Sequence, residues 1–329
     1  MKPLGVIRYL SLRDVERLLP PIPEQIDLAA AAFAALASGD VEMPAKIGVH
    51  PRFEAFLHAM PAWFRGEDLV GIKWVAGYPS NPASGRVGVT GLMVLNDPES
   101  GYPRCILDGT LITLVRTAAV SGVTLRLFGS QDVRRIGMVG CGAQARSHLL
   151  VFLSLLPDVE LTAYDRSTER ATEFVEWARG LDGVAVATVA DTVPSVVKGA
   201  DVLFTSVSSR GKGEELIAPD QIGAGSLVLP IDWADAVTGG VARAAAHFVV
   251  DDRPQFEYAR SLDDGYNFPH YPDPDESLGE ALLRGSLTEH RPEGFVLVNN
   301  LGIGAVDLMF AKEVLKSAEN QNVGTMLEW

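Results

Sequence analysis

The hydrophobic positions along the chain change their period near residues 125–133. Before this point, apolar runs of strand length are separated by turn residues, most clearly at Tyr78-Pro79-Ser80-Asn81-Pro82. The elements predicted here are the helices Leu12–Leu19, Pro23–Ser38 and Leu111–Phe128 and the strands Ala55–Met60, Leu69–Val75 and Val89–Leu95. This part of the chain therefore combines helices with strands.

After residue 133, short apolar strands alternate with helices. The predicted strands are Arg135–Val139, Val159–Tyr164, Val184–Val189, Val202–Ser206, Ser226–Leu229, His247–Val250 and Phe295–Val298. The predicted helices are Ala143–Leu156, one that Ser167 caps and that runs through Ala178, and a short one around Val193–Lys198. This alternation predicts an α/β fold with a doubly wound parallel sheet. The last stretch, Gly304–Gln321, is predicted to be a helix that packs back on the first part.

Composition and charge narrow the class of protein. Hydrophobic residues make up 47% and charged residues 21% of the 329 residues, as in a globular protein with a full core. The formal net charge of -14 disfavours nucleic acid and anionic membrane surfaces as partners. We expect no membrane span and a cytoplasmic location. Cys105 and Cys141 are expected to be inert, and the histidines lack metal-ligand spacing, so no metal is expected.

A glycine-rich turn predicts a dinucleotide site. The turn consists of Gly140, Cys141, Gly142, Ala143, Gln144 and Ala145, which match G-x-G-x-x-A between a strand and a helix. The first glycine permits the tight turn, the second lets the backbone approach a pyrophosphate, and the small third residue lets helix and strand pack closely. The helix N-terminus then offers unpaired N–H groups to the phosphates. The alternative is a glycine turn without a ligand.

The residues after the second strand bear on the choice of cofactor. Asp165 lies twenty residues after Ala145, where a carboxylate accepts hydrogen bonds from the adenosine ribose. A carboxylate there disfavours a 2′-phosphate, so we favour NAD(H). Arg166 and Ser167 could hold that phosphate, so NADP(H) stays possible. Ser206, at the end of a later predicted strand, is also assigned to the cofactor site.

Cations in apolar surroundings predict an anion site in the first part. Lys73 lies inside an otherwise apolar strand, and Arg116 lies among apolar and small residues of a predicted helix. An unpaired buried cation is costly, and a substrate carboxylate would pair with it. Arginine can hold a carboxylate through two parallel hydrogen bonds. Lys73 could instead pair structurally with Asp108 or Glu67.

Several ordered motifs resemble those of the ornithine cyclodeaminase/μ-crystallin family, over nearly the whole chain. These motifs are the segments Gly71–Asn81, Leu114–Ala119, Gly140–Ala145 and Leu301–Asp307. The segment H-A-M-P-A at His58–Ala62 is similar to a subgroup with iminosuccinate-type reductases. The resemblance implies a Rossmann domain, at residues 126–303, and an α+β substrate-binding and dimerisation domain, at residues 1–125 with the C-terminal helix of residues 304–329. It also implies a homodimer that pairs through β-structure of the first domains.

The resemblance also implies roles for single residues. Lys46, Lys73 and Arg116 match the three cations that surround the substrate carboxylate in the family. Asp232 matches the aspartate that serves as acid/base near the substrate nitrogen. That aspartate is commonly followed by proline-glycine-lysine, whereas this chain has Trp233-Ala234-Asp235-Ala236. The difference disfavours the ornithine-specific reaction and leaves Asp235 as a rival acid/base.

Each candidate also has a purely structural interpretation. Lys46 could be a solvated loop lysine, Arg116 a domain-bridging ion pair and Asp232 a helix cap. His58 is assigned to the substrate site, but a core histidine whose nitrogens are already hydrogen-bonded is favoured over a catalytic one.

The predicted function is hydride transfer between a nicotinamide cofactor and the α-carbon of a small α-imino or α-amino acid. The protein would then be an imine or ketimine reductase or an amino-acid dehydrogenase. The main alternative is an ornithine or lysine cyclodeaminase, a lyase that releases ammonia with bound NAD. Two further alternatives are a binding protein without activity and an enzyme that condenses an amino acid with a keto acid.

Overall fold

The computed structural model describes residues 5–52, 54–207, 216–232, 235–262, 268–285 and 292–328. The first part contains β1 (Val6–Leu10), α1 (Leu12–Leu18), α2 (Ile22–Ala37), β2 (Val41–Glu42), β3 (Ile47–Arg52), β4 (Ala55–Phe64), β5 (Leu69–Gly77), β6 (Val89–Asn96), β7 (Pro103–Asp108) and α3 (Thr110–Phe128). It is followed by β8 (Arg135–Val139), α4 (Ala143–Leu153), β9 (Val159–Tyr164), α5 (Thr168–Arg179), β10 (Val184–Val189), α6 (Val193–Val197), β11 (Val202–Thr205), β12 (Leu227–Pro230), α7 (Gly239–Ala244), β13 (His247–Val250), α8 (Arg253–Ser261), β14 (Glu276–Ser277), α9 (Leu278–Arg284) and β15 (Val296–Asn299). The chain ends with α10 (Gly304–Gln321) and β16 (Thr325–Glu328).

The chain forms two compact units. Unit 1 comprises Met1–Arg116 and Gly302–Trp329, and unit 2 comprises Thr117–Leu301. The division falls within α3, directly after Arg116. The functional domains expected at residues 1–125 with 304–329 and at residues 126–303 stay a prediction.

Unit 1 is built on a mostly antiparallel sheet with one covered face. The strand order is β16-β1-β7-β6-β5-β4-β2, and β3 pairs with β4. Across the central strands, Met60 lies opposite Lys73, which lies opposite Met93, and all three are buried on the same face. Helix α10 packs against this face and against α2. Its first residue, Gly304, comes so close to β4 that a Cβ would lie 2.8 Å from the Met60 carbonyl oxygen.

The opposite face of this sheet carries exposed apolar side chains. We call it the outer face and define it by Ile47, Val49, Trp63, Trp74 and Leu92, which are all exposed. Register places Ile47 and Trp74 in one cross-strand row with Ala59 and Leu92, so these side chains form a continuous patch. An apolar patch of this kind is typical of an interaction surface.

Unit 2 is built on a parallel sheet in the order β10-β9-β8-β11-β12-β15-β13-β14. Every strand pair in it is parallel. The central strands β8, β11, β12, β15 and β13 are nearly continuous runs of buried apolar residues. The chain builds outward from β8 to β10 and then returns to the other side of β8 with β11. A parallel sheet of this kind binds ligands at the carboxyl ends of its strands, where the strand order reverses. Here that point lies between β8 and β11.

The predicted fold class, a doubly wound parallel sheet combined with a part of mixed α and β structure, is confirmed. Four predicted strands, at Arg135–Val139, Val159–Tyr164, Val184–Val189 and His247–Val250, have the observed bounds. Strands β1, β3 and β7 were not predicted. Strand β3 is exposed throughout, and its apolar alternation is limited to Ile47 and Val49 before histidine and proline, which is too short to predict a strand.

Helix α3 is long and apolar enough to cross a membrane by length and composition alone. However, 72% of its most apolar stretch is buried within the protein. It is therefore a core helix.

Candidate active site

Unit 1 contains a buried group of three cations, which we call the cationic cluster: Lys46, Lys73 and Arg116. Each is less than a tenth exposed, and Lys73 is wholly buried. Lys73 comes from the middle of β5, Arg116 from α3, and Lys46 from the segment before β3. Removing the positive charge of each of these groups from water costs free energy. The cluster therefore needs anionic or dipolar partners.

Asp307, in the first turn of α10, supplies one such partner. Its carboxylate is wholly buried, with one oxygen 2.6 Å from the Lys73 ammonium and the other 3.0 Å from Nε of Arg116. The Arg116 contact is a hydrogen bond donated by Nε, whereas the Lys73 contact is an ion pair without hydrogen-bond alignment. The guanidinium therefore keeps the edge formed by its two terminal nitrogens for other groups.

The structural partners considered for Lys73 from sequence were wrong. Asp108 accepts the backbone N–H groups of Thr110 and Leu111 and so caps α3. Glu67 is ion-paired with Lys312 at the surface. The positive charge of Lys73 is instead balanced by the carboxylate of Asp307, near the far end of the chain.

Gly302 brings two cations of the cluster to one backbone turn. Its carbonyl oxygen accepts a hydrogen bond from Lys46 Nζ at 3.5 Å. Its φ of +86° lies in the left-handed region, and a Cβ there would lie 2.9 Å from both terminal nitrogens of Arg116. Only glycine meets both requirements without displacing the guanidinium.

His58 faces the same group of charges. It lies on β4 opposite Gly48, whose missing side chain leaves room for the imidazole, and its ring stacks on Phe56 with centroids 4.4 Å apart. Burial, and then the positive charges of Lys46, His50 and Lys73, lower the pKa of His58 to about 3. His58 is therefore neutral at physiological pH and adds no charge to the cluster.

The glycine-rich turn has the geometry that its sequence predicts. Gly140 has a φ of +94°, and a Cβ there would lie 2.5 Å from the carbonyl oxygen of Ser206. The Ser206 hydroxyl donates in turn to the Gly140 carbonyl at 3.4 Å. The ends of β8 and β11 are thus joined at the point where the strand order reverses.

The second glycine of the turn faces open space. Gly142 is the N-cap residue of α4 in extended conformation, and a Cβ on it would meet nothing within 4 Å. Among the described residues, no side-chain hydrogen bond caps this helix end. Ala143 and Gln144 form the first turn, and Ala145 is buried against the sheet. The unobstructed amides at this helix end suit an anionic group.

Asp165 is fixed at the end of β9 by two backbone amides. Its oxygens accept from Cys141 N–H and Ser167 N–H, both at 2.9 Å. The Ser167 hydroxyl accepts from the Arg170 amide and so caps α5, whereas Arg166 is exposed. The carboxylate of Asp165 thus lies beside the glycine-rich turn, and its predicted role as a ribose ligand stays a prediction.

Asp232 follows β12, beside β11, and is buried. Its carboxylate accepts the Val207 amide at 3.1 Å, and burial raises its pKa above the usual value. Asp235 is only half-buried, and its amide donates to the Asp232 carbonyl oxygen at 3.1 Å. Trp233 and Ala234, which carry the departure from the family motif, lie outside the described residues.

Two polar residues that sequence reasoning missed have buried side chains. Asp307 was part of a quoted motif but received no role. Asn300 directly follows β15, the neighbour of β12, and its carboxamide has no hydrogen-bond partner among the described residues. An unsatisfied buried amide at the carboxyl edge of a parallel sheet suits a polar ligand group.

The cysteines and the possible metal ligands are further potential sources of chemistry in the sequence. Both cysteines are buried, and burial raises the pKa of each thiol to about 12, so neither is a nucleophile at neutral pH. Across the part of the chain that the structure describes, no three His, Cys, Asp or Glu side chains are grouped to hold a metal ion.

Fold and site together define an α/β protein with a Rossmann-type sheet and a separate buried cationic cluster. Comparison with known proteins gives the family. Residues 8–240 match the model of the Ornithine cyclodeaminase/mu-crystallin family, and the chain belongs to that family.

Two relatives match over nearly their whole length. The nodulation efficiency protein NfeD of Rhizobium meliloti is 30% identical, with 99% of this chain and 100% of that protein covered. The alanine dehydrogenase of Archaeoglobus fulgidus is 28% identical over 97% of this chain and 98% of its own. The solved structure of an archaeal alanine dehydrogenase dimer with bound NAD aligns with a TM-score of 0.83 at 26% identity, covering 99% of this chain and 100% of that one.

Replacing Gly302 by alanine should destabilise the protein more than the same change at Gly101. Both glycines have left-handed φ, but a Cβ at Gly101 meets nothing within 4 Å. We expect a loss of about 1 kcal/mol for Gly101→Ala, from backbone strain alone. Gly302→Ala should lose roughly 2–3 kcal/mol, because the Arg116 guanidinium must also move. Urea unfolding followed by circular dichroism measures both, and equal losses would show that the guanidinium contact is unimportant.

Proposed function

We propose that the protein is an NAD(H)-dependent oxidoreductase that transfers a hydride at the α-carbon of a small α-imino or α-amino acid. It would act as an imine or ketimine reductase or as an amino-acid dehydrogenase. The observation that carries this proposal is that two buried cations of the cationic cluster, Lys73 and Arg116, share the single carboxylate of Asp307. The Arg116 contact uses only Nε of the guanidinium.

A substrate carboxylate would supply a second negative charge for Lys73 and Arg116. Burying a charge without a partner costs several kcal/mol, so an anion that enters the cluster is bound strongly. The two terminal nitrogens of Arg116 offer the geometry that a carboxylate prefers. Lys46 and Lys73 would add two further contacts. We assign Lys46, Arg116 and His58 to substrate binding on this basis.

Unit 2 would bind the dinucleotide. Its glycine-rich turn and the free N-terminus of α4 suit the pyrophosphate, and Asp165 suits the adenosine ribose. The carboxylate of Asp165 favours NAD(H), as does the NAD in the archaeal alanine dehydrogenase structure. Exposed Arg166 keeps NADP(H) possible. Ser206, held against Gly140, would border the same site.

The cofactor, when bound, supplies hydride chemistry, and the protein supplies orientation and protons. The cationic cluster would fix the carboxylate and so aim the α-carbon of the substrate, which removes part of the entropic barrier. Asp232 would exchange a proton with the substrate nitrogen. Its raised pKa suits this role, because an acid with a pKa nearer neutrality is present in its protonated form more often.

We further propose a cytoplasmic homodimer that pairs through the outer face of unit 1. The patch formed by Ile47, Val49, Trp63, Trp74 and Leu92 is apolar and exposed in a single chain. The archaeal alanine dehydrogenase, which has the same fold, is a dimer. The net charge of -14 argues against nucleic acid or anionic membrane as partner.

An absorbance assay tests the proposed function. Purified protein is mixed with NADH and a panel of small keto acids, with and without ammonia or methylamine. Oxidation of NADH that requires both a keto acid and an amine supports the proposal. Ammonia release from ornithine or lysine without net change in cofactor absorbance would instead support the cyclodeaminase, which the name of the family keeps as the alternative. Failure to bind either cofactor state would exclude both.

Gly142→Ala should weaken NADH binding without affecting the fold. The added methyl group points into open space in the free protein and would occupy the space left for the pyrophosphate. We expect the dissociation constant for NADH to rise by about tenfold or more, equivalent to about 1.4 kcal/mol. The thermal midpoint without cofactor should stay unchanged. Gly140→Ala is the contrast, because its Cβ would lie 2.5 Å from Ser206 O and should lower the thermal midpoint. An unchanged NADH affinity in Gly142→Ala argues against this site.

Asp232→Asn should abolish most turnover while leaving substrate affinity nearly intact. Removing a general acid typically costs on the order of 100-fold or more in kcat. Asp235→Asn is the matched control, since Asp235 lies three residues away and is only half-buried. Steady-state kinetics on the best substrate of the panel gives kcat and KM for both variants. The reverse result, a large loss only in Asp235→Asn, would assign the acid/base role to Asp235.

Trp74→Glu should dissociate the dimer. A charge at the centre of the outer face would be buried without a partner in the dimer but solvated in the monomer. Sedimentation velocity should show a monomer for Trp74→Glu. Leu283→Glu, at an exposed apolar position of α9, should remain a dimer. A dimeric Trp74→Glu protein would place the interface elsewhere.

A further inference from the structure

The carboxylate of Asp307 has two neighbours of different chemistry. Arg116 is permanently charged, whereas a lysine can lose its proton when it is buried. The carboxylate lies within 3.0 Å of Nε of Arg116 and 2.6 Å of Nζ of Lys73. Any change at Asp307 therefore acts on the orientation of the first cation and on the charge of the second.

The orientation follows from the hydrogen-bond pattern. Asp307 takes the Nε–H of Arg116, and Gly302 leaves the two terminal nitrogens unobstructed. Without the carboxylate, the guanidinium could rotate about its side chain and lose the edge that matches a ligand carboxylate.

We propose that Asp307 is the positioning residue of the cationic cluster: it aims Arg116 and determines whether Lys73 carries a charge. This inference rests on the proposed function, in which the cluster binds the substrate carboxylate. Helix α10 would then contribute to substrate binding indirectly, because its Asp307 acts on Arg116 and Lys73. Asp307 itself would not touch the substrate.

The charges around Lys73 decide its protonation. Burial lowers the pKa of Lys73 to about 7, the negative charge of Asp307 opposes this shift, and the positive charge of Arg116 adds to it. On the neighbouring strand β4, His58 faces the group but is neutral. Lys46, from the segment before β3, donates a hydrogen bond to the Gly302 carbonyl oxygen. The residues directly opposite Lys73 on β4 and β6 are methionines and carry no charge. Asp307 is thus the group that keeps Lys73 protonated.

A pH dependence follows with a definite sign. Below the pKa of Lys73 the ammonium attracts a carboxylate, and above it this attraction is lost. Affinity for a carboxylate ligand should therefore fall as the pH rises through about 7. In Asp307→Asn, the same fall should occur at lower pH, because the opposing charge has been removed.

Nuclear magnetic resonance of the lysine side chains tests the assignment without any substrate. Protein labelled with ¹³C-lysine gives few Cε signals, and Lys73→Met identifies the one from Lys73. In the Asp307→Asn variant of the full chain, the titration midpoint of that signal should fall by about one pH unit or more. Asp307→Glu should restore it at least in part. Glu313→Gln, which removes an acid of α10 that pairs with Lys316, should leave it unchanged.

A second variant, expected to shift the Lys73 midpoint in the opposite direction, keeps the test valid if Asp307→Asn does not fold. Arg116→Met removes a positive charge, so the Lys73 midpoint should rise. If the Lys73 midpoint is unchanged in folded Asp307→Asn or in Arg116→Met, the proposed role of Asp307 is wrong.

Pyruvate serves as the carboxylate probe for the second arm. Its binding in the presence of NADH should raise the Lys73 midpoint in wild type, and its KM should rise by about tenfold in Asp307→Asn, the loss expected for one charge-assisted hydrogen bond. A changed midpoint in Asp307→Asn with no response to pyruvate or to the rest of the keto-acid panel would retain the role of Asp307 and refute the proposed function. A response to pyruvate with an unchanged midpoint in Asp307→Asn would support the proposed function and refute the role of Asp307.

Discussion

The buried contact of Asp307 with Lys73 and Arg116 is the interaction on which unit 1 depends. A lysine in the middle of an apolar strand cannot be buried in the absence of a nearby anion, except at a large cost. The anion comes from α10, which reaches the sheet because Gly304 packs against the backbone of β4 and Gly302 adopts a left-handed turn. Gly302 and Gly304 thus allow α10 to place the Asp307 carboxylate beside Lys73 and Arg116.

The central strands of unit 2 also carry few polar side chains, and these lie at the ends of the strands. Because these strands are otherwise apolar, they define a sheet without specifying chemistry. The polar or glycine candidates for the site follow the strands: Gly140 after β8, Asp165 after β9, Ser206 after β11, Asp232 after β12 and Asn300 after β15. Because neighbouring parallel strands end at the same edge, these residues lie near one another although they are far apart in sequence.

Sequence reasoning succeeded where the signal is local. The strands of unit 2 and the glycine-rich turn follow short-range patterns, and Lys73 stands out as a charge within an apolar strand. Asp307 carries no such signal, because an acid in the first turn of a helix is ordinary and its partner Arg116 is 191 residues away. The partners considered for Lys73 were Asp108 and Glu67, whereas the structure pairs it with Asp307 near the far end of the chain.

The sharing of one carboxylate by Lys73 and Arg116 bears on selectivity under the proposed function. A ligand that lacks a carboxylate would leave the terminal nitrogens of Arg116 without the anion proposed for them, and an unpaired buried group is penalised far more than a missing methylene. Recognition of the carboxylate can therefore be strict while the remainder of the substrate is read by other residues. A cluster of this kind fixes the α-carbon of any α-imino or α-amino acid in the same way. The choice of side chain can then change without rebuilding the charged core of unit 1.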